Sequence, residues 1–182
     1  RIGTLVQNLS DAASLEEALE SEEFERIDLR MMVQNYLVNC RAAHSDRSFE
    51  YHGTDRSAMV EVSDFRIEQL LDKLIDNAID FSKPGAAIRV GLATTISEVS
   101  LSVSNTGATI DPDSLRTVFD SMVSVRDNNP DNRLHFGMGL YVVRVIAEQH
   151  GGSVLAENLP SGRGVTIRVT IPLEQSSALA VA

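Results

Sequence analysis

Asn77 stands beside the apolar stripe of a predicted helix, a place where an amide needs a reason. In KLIDNAIDFS (73–82) and the residues before it, Leu70, Leu74, Ala78 and Phe81 recur at spacings of four, four and three, which makes one apolar helical face. Asn77 lies three residues after Leu74 and four before Phe81. A buried amide is costly unless its hydrogen bonds are made. Its carbonyl oxygen would suit Mg²⁺, a hard cation that keeps waters and phosphate oxygens around it. The ordinary alternative is an amide that ties the helix to a loop. Asp72, Asp76 and Asp80 form a row at i, i+4 and i+8 on the flank opposite Lys73. Their ordinary reading is a solvated acidic row, with Lys73 paired to Asp76.

Two further stretches could carry chemistry. In VSNTGATIDP (103–112) a strand ends in Asn105 and a glycine follows at 107. Gly107 would let the backbone approach a flat ligand, and Asn105 offers a donor and an acceptor on one amide, which suits a purine edge. A plain loop with an Asx-turn is the alternative. In HFGMGLYVVRVIAEQHGG (135–152), Gly137 and Gly139 lead straight into a helix. Its first N–H groups are unsatisfied and its dipole is positive there, which favours an anion; the alternative is a hinge. The dinucleotide fingerprint fails, because its third glycine would fall on Val142 and no strand precedes the motif. A Walker-type loop fails for want of a following Lys-Ser/Thr.

The whole chain limits the choices. Its 182 residues suffice for one domain with a good core and an appendage. The net charge is −10 with no Lys/Arg block, which argues against a nucleic-acid partner. A polyanionic ligand would then need local help from backbone amides, a few cations or a metal. One cysteine, Cys40, excludes an internal disulfide and a Cys-rich zinc site. No apolar run is long enough to span a membrane, and no signal peptide is present. The chain opens with Arg1, as expected of a piece of something longer.

The elements that must position these residues follow from periodicity. Residues 1–20 carry an apolar seam, Ile2, Leu5, Val6, Leu9, Ala12, Ala13 and Leu19, with a roughly 3.5-residue period. Strands are predicted over 24–29, 48–52, 59–62, 87–96, 99–104, 154–157 and 165–171, with Gly53-Thr54-Asp55 as the turn between the second and third. Helices are predicted over 30–43, with Met32, Val33, Tyr36, Leu37 and Cys40 inward, and over 65–82, 112–121 and 139–150. Asp64 is the expected cap of the second and Asp111 of the third. Gly151-Gly152 ends the fourth. Residues 123–136 form the long irregular segment, and 174–182 a frayed tail. Short turns between strands, with helices interrupting irregularly, imply an α+β fold, a mixed and mostly antiparallel sheet with helices on one face.

Taken together and in this order, the three stretches resemble the boxes of the ATP-binding domain of bacterial sensor histidine kinases, within the wider family that includes type II topoisomerases and mismatch-repair ATPases. Residues 73–81 match the asparagine box, 103–111 the first glycine box, 118–122 (VFDSM) the phenylalanine box, and 137–143 the second glycine box. The resemblance implies a two-layer α/β sandwich of the Bergerat type spanning 23–174. Residues 1–22 would be the end of the dimerisation and phosphotransfer domain plus linker, and 175–182 a tail. ATP would lie between the asparagine-box helix and a lid, 123–136. Asn77 would hold Mg²⁺ bridging the phosphates, and Phe81 would lie against the adenine. Asn105 would read the adenine amino group, Gly107 would give the ring room, and Ile110 would join the same base-binding set. Gly137, Gly139 and the amide of Leu140 would hold the phosphates, with Arg126 or Arg133 in reach from the lid. The implied partners are the chain's own dimerisation domain, a second copy, and a response regulator. The implied location is the cytoplasmic side of a protein anchored in the bacterial inner membrane.

Four positions depart from the family pattern. Asn105 stands where Asp is usual, Lys73 where a second Asn is frequent, Asp80 where Lys is frequent, and His135 replaces the first glycine of the second box. Topoisomerase-like ATPases place a Glu at the position of Lys73 to activate water. Lysine is a poor base at neutral pH, so Lys73 fits phosphoryl transfer to an outside acceptor better than ATP hydrolysis. None of His44, His52, His135 and His150 has the acidic residue that follows the family's acceptor histidine. No catalytic base is assigned within this chain.

Overall fold

The computed structural model describes residues 22–120 and 139–174. The predicted helix 1–20, the lid 123–136 and the tail 175–182 lie outside them, as do Gly137, His135, Arg126 and Arg133. Within them the order is β1 (Glu25–Asp28), α1 (Leu29–Ala43), β2 (Ser48–Gly53), β3 (Met59–Val62), α2 (Asp64–Phe81), β4 (Ala87–Thr94), β5 (Glu98–Asn105), α3 (Gly139–Gln149), β6 (Ser153–Asn158) and β7 (Val165–Pro172).

Five strands form one sheet in the order β2-β4-β5-β7-β6, parallel only between β2 and β4. Alternate residues of β4, β5 and β7 are buried: Ile88, Val90 and Leu92; Val99, Leu101 and Val103; Val165, Ile167, Val169 and Ile171. The opposite face carries Arg89, Ser102, Ser104, Thr166 and Arg168, none of them buried. One apolar face therefore exists, and the helices cover it. Helix α1 contributes Leu29, Val33, Leu37 and Cys40 to the core, α2 Ile67, Leu70, Leu71, Leu74, Ile75 and Ala78, and α3 Tyr141, Val143, Val145, Ile146 and Ala147. Met32 and Tyr36 pack against the core only in part. Instead the Tyr36 hydroxyl crosses to α2 and donates to Asp72 Oδ1 at 2.6 Å, so one member of the exposed acidic row has a structural partner.

The structure corrects the sequence reading in several places. The two strands that flank Gly53-Thr54-Asp55 form as expected, but they belong to different sheets. β3 pairs with β1 in a separate two-stranded sheet, and β2 lies parallel to β4. A parallel neighbour needs a crossover, and β3 with α2 supplies it. Ser63, not Asp64, caps α2: its backbone is extended and its Oγ accepts from the Arg66 N–H. Asp64 sits in the first turn, where its charge suits the helix dipole. The predicted helix 112–121 is a short 3₁₀ turn, Pro112–Ser114, capped by Asp111 as expected. Thr117 Oγ1 bonds back to the Ser114 carbonyl, a local competitor of regular helix. No ion pair joins Lys73 to Asp76 among the described residues. Phe81 leaves the apolar stripe and is 42% exposed.

A polar joint ties the last turn of α3 to the first turn of α2. His150, directly after α3, is buried; its Nε2 accepts from the Ser63 N–H at 3.1 Å and its Nδ1–H donates to the Ile146 carbonyl at 2.7 Å. The ring stacks on Phe24, with centroids 4.6 Å apart and planes 13° from parallel. Beside it Arg66 pairs with Glu22 and bonds Gln69 at 2.9 Å. Burial pushes the His150 pKa down, against the opposing effects of the Ile146 carbonyl and Glu22. Burial raises the Glu22 carboxyl, but the bonds from Arg66 and Ser63 outweigh it and leave the group below its ordinary range.

The folded His150 thus titrates below its unfolded value of about 6.5. Its neutral form contributes stability that is fully present above about pH 6.5 and is lost as pH falls through the depressed folded pKa. Urea unfolding at a series of pH values should show stability declining below about pH 6.5. His150→Gln, which cannot titrate, should flatten that slope while lowering stability at neutral pH by about 1–2 kcal/mol.

Candidate functional site

Phe81, Asn105 and Gly107, three of the predicted ligand residues, meet where the end of α2 is fastened to the end of β5. Asn105 is the last inward-facing residue of β5, in register with Val165 of β7, and is only 4% exposed. A two-residue bridge joins Ser82 to Gly107, and Lys83 N–H donates to the Thr106 carbonyl at 3.1 Å. A β-carbon on Gly107 would lie 1.9 Å from the Phe81 carbonyl oxygen and 3.5 Å from Asn105 Nδ2. The space that a side chain would take at 107 is filled by the protein's own backbone. Gly164 plays the matching part on the other side. Its β-carbon would fall 2.1 Å from the Asn105 carbonyl oxygen, and its φ of 127° is open chiefly to glycine.

The fastening has further members that no local pattern announces. Arg47 reaches from beyond α1 to donate to Ser82 Oγ at 2.8 Å. Asn158 holds Ile110 at both ends: its Oδ1 accepts from the Ile110 N–H at 2.9 Å, and its Nδ2 donates to the Ile110 carbonyl at 2.7 Å. Val118 and Phe119 are buried, and the next residue, Asp120, accepts from Arg144 of α3 at 2.7 Å. Arg47, Asn158, Gly164 and Arg144 belong to the site's frame and were not singled out from sequence. Their partners lie 24 to 48 residues away where a hydrogen bond links them.

On this frame Asn77 is half-buried on α2, and no hydrogen bond joins its amide to another described residue. Phe81, one turn on, exposes its ring. Asn105 Nδ2 is wholly enclosed yet has no hydrogen-bond partner. Gly139 opens α3, with free space where a β-carbon would go, and Leu140 is half-buried in its first turn. The structure brings Phe81, Asn105 and Gly107 together directly, and Ile110 is pinned to the end of β6. Gly137 lies outside the described residues. Two surface cavities lie elsewhere. One of about 480 Å³ on the open sheet face is lined by Glu50, His52, Arg89, Gly91, Ser102 and Ser104; the other, about 310 Å³, lies between α1 and the start of α2.

The donor set fits a magnesium–nucleotide complex. Mg²⁺ bound through phosphates needs only one or two protein oxygens. A single uncommitted amide on a helix, rather than a carboxylate cage, meets that need; no cluster of three or more His, Cys, Asp or Glu suited to a metal occurs among the described residues.

Residues 62–175 match the family model described as histidine kinase-, DNA gyrase B- and HSP90-like ATPase. The chain belongs to this ATPase family. Within it, the kinship lies with sensor histidine kinases. Over 107 residues the chain is 35% identical to the sensor protein SrrB of Staphylococcus aureus, which spans 59% of this chain and 18% of SrrB. The chain therefore corresponds to under a fifth of that relative's length. The fold is shared with the catalytic domain of the histidine kinase ThkA (TM-score 0.72, 24% identity, 84% of this chain and 99% of that one). It is shared too with a mycobacterial sensor histidine kinase, MprB (TM-score 0.70, 22% identity, 83% and 98%). This ATPase domain has the mostly antiparallel five-stranded sheet and one-sided helices that its sequence implies.

The contact at Gly107 gives a direct test of the frame. Gly107→Ala should cost about 3 kcal/mol, because backbone rather than a flexible side chain must yield. Gly139→Ala, made where space is open, should change stability by no more than about 0.5 kcal/mol in chemical denaturation.

Proposed function

We propose that this domain binds Mg-ATP and donates its γ-phosphoryl group to a histidine on a dimerisation domain of the same longer protein, as the catalytic part of a two-component sensor histidine kinase. The observation that carries the reading is a pair of uncommitted amides on two elements fastened together at Ser82 and Gly107: Asn77, half-buried on α2 without a hydrogen bond to a described residue, and Asn105, enclosed at the end of β5 with an unpartnered Nδ2. Groups left unsatisfied in a folded protein call for a ligand or water to complete them.

In this reading Asn77 holds the metal, which would bridge and neutralise the phosphates. Phe81 offers its exposed ring to the adenine. Asn105 meets the edge of the base beside Gly107 and Ile110. Gly139 and Leu140, with Gly137 before them, present N–H groups at the start of an eleven-residue helix. The domain's share of phosphoryl transfer is positioning and charge neutralisation.

The acceptor lies elsewhere. Both ring nitrogens of His150 are engaged with backbone, and the exposed His52 ring lies 3.2 Å from Glu50. Residues 1–22 are read as the end of the dimerisation domain's second helix and its linker, which makes a homodimer and a cognate response regulator the partners of the full protein. No described helix is long and apolar enough to cross a membrane, so the inner-membrane anchor in this proposal belongs to the longer chain. A second reading, a degenerate nucleotide-binding or docking module without kinase activity, draws on Asn105, Lys73 and Asp80.

Nucleotide-dependent stabilisation separates the two. Mg-ATP at about a hundred times its dissociation constant should add roughly 2.7 kcal/mol, and no shift at millimolar Mg-ATP would favour the docking module. Asn77→Ala should abolish the magnesium dependence of that shift; an unchanged dependence refutes the metal assignment. Incubated with γ-labelled ATP, the chain alone should remain unlabelled. Stoichiometric acid-labile, base-stable label would place the acceptor within it.

A further inference from the structure

Resting on the nucleotide reading above, we propose that the base pocket takes 6-oxopurine nucleoside triphosphates as well as ATP, and that Asn105 is the residue that permits both. The edge of a 6-aminopurine presents a donor at N6 beside an acceptor at N1. The edge of a 6-oxopurine presents the reverse, an acceptor at O6 beside a donor at N1. A primary amide carries one acceptor and one donor head. Turned one way, Asn105 matches the first edge; turned by a half-rotation of its amide, it matches the second.

No hydrogen bond selects between those two orientations. The Asn105 backbone is fixed: it pairs with Val165, its carbonyl lies under Gly164, and the neighbouring Gly107 seats the Phe81 carbonyl. The amide is enclosed, but its Nδ2 has no partner and no hydrogen bond to a described residue holds its other end. Asn158 shows the contrast within the same site. Both ends of its amide are locked by Ile110, one as acceptor and one as donor, so it has a single orientation. A carboxylate at 105 would be acceptor-only when ionised and would face O6 with no proton to share. A buried site of that kind rejects the mismatched edge strongly, because polar groups are left unpaired.

The test measures binding of Mg-ATP and Mg-inosine triphosphate to the chain by calorimetry, with Asn105→Asp in parallel. Inosine triphosphate has the 6-oxo edge without the 2-amino group of guanine, so it reads position 6 alone. The wild-type protein should bind the two within about tenfold of each other, and Asn105→Asp should weaken inosine triphosphate relative to ATP by about a hundredfold. Wild-type binding of ATP with inosine triphosphate a hundredfold weaker would overturn the proposal and leave the ATP reading standing. An Asn105→Asp protein as permissive as wild type would overturn the role of Asn105. Binding of neither nucleotide would remove the nucleotide reading and this proposal with it. The wild-type ratio decides by itself if the variant fails to fold.

Discussion

The structure turns on how closely two pieces of backbone approach one another. The carbonyl that ends α2 at Phe81 occupies the place where any other residue at 107 would put its β-carbon. That contact, with the Ser82–Gly107 bridge, sets the distance between the helix that carries Asn77 and the strand that carries Asn105. Gly164 presses from the far side on the Asn105 carbonyl, so the strand end is held between two glycines that tolerate no side chain. The amides can then be precise without being bonded to one another, because the backbone rather than a side-chain network fixes their separation.

The two helices that bear predicted ligand residues are joined to one another at the ends away from those residues. The first turn of α2 and the last turn of α3 share the His150 joint, packed under Phe24 and flanked by the Glu22–Arg66 pair. The opposite ends carry Asn77 and Phe81 on α2, and Gly139 and Leu140 on α3. Glu22 is bonded to Arg66 in the first turn of α2, and Phe24 stacks on His150 directly after α3.

What could be read from sequence was what depends on near neighbours. The stripe of α2, the alternation of β4, β5 and β7, and the glycine stop after α3 all follow from periods of 3.6 or 2 and from one residue's φ preference. Asn105 was legible as a polar residue closing an apolar alternation. What escaped was set by distant partners. Nothing near Gly53 says that β2 pairs in parallel with β4 while β3 joins β1. Nothing near Asn158 says that its amide fits the backbone of Ile110, 48 positions earlier. Ser63 and Asp64 are both good caps by type, and the choice between them is made by an N–H that His150 accepts from Ser63, 87 residues away. Gly107 was read as room for a flat ligand, and the backbone carbonyl of Phe81 that fills the place of its side chain could not be read from sequence.

Charge explains why an amide is a workable choice at 105. The chain carries a net charge of −10, so a triphosphate meets an unfavourable field except where local groups reverse it. At the phosphate end, helix N–H groups and a metal can do so. An aspartate at 105 would place a negative charge in a position only 4% exposed. Enclosing an ionised carboxylate without a partner costs several times what enclosing an amide does. Asparagine gives up the stronger charge-assisted bond to a base amino group, worth roughly twice a neutral one, and avoids that desolvation in the ligand-free state. At a position this enclosed, an amide avoids the cost of burying an unpaired charge, and the backbone around it is already held by Gly107 and Gly164.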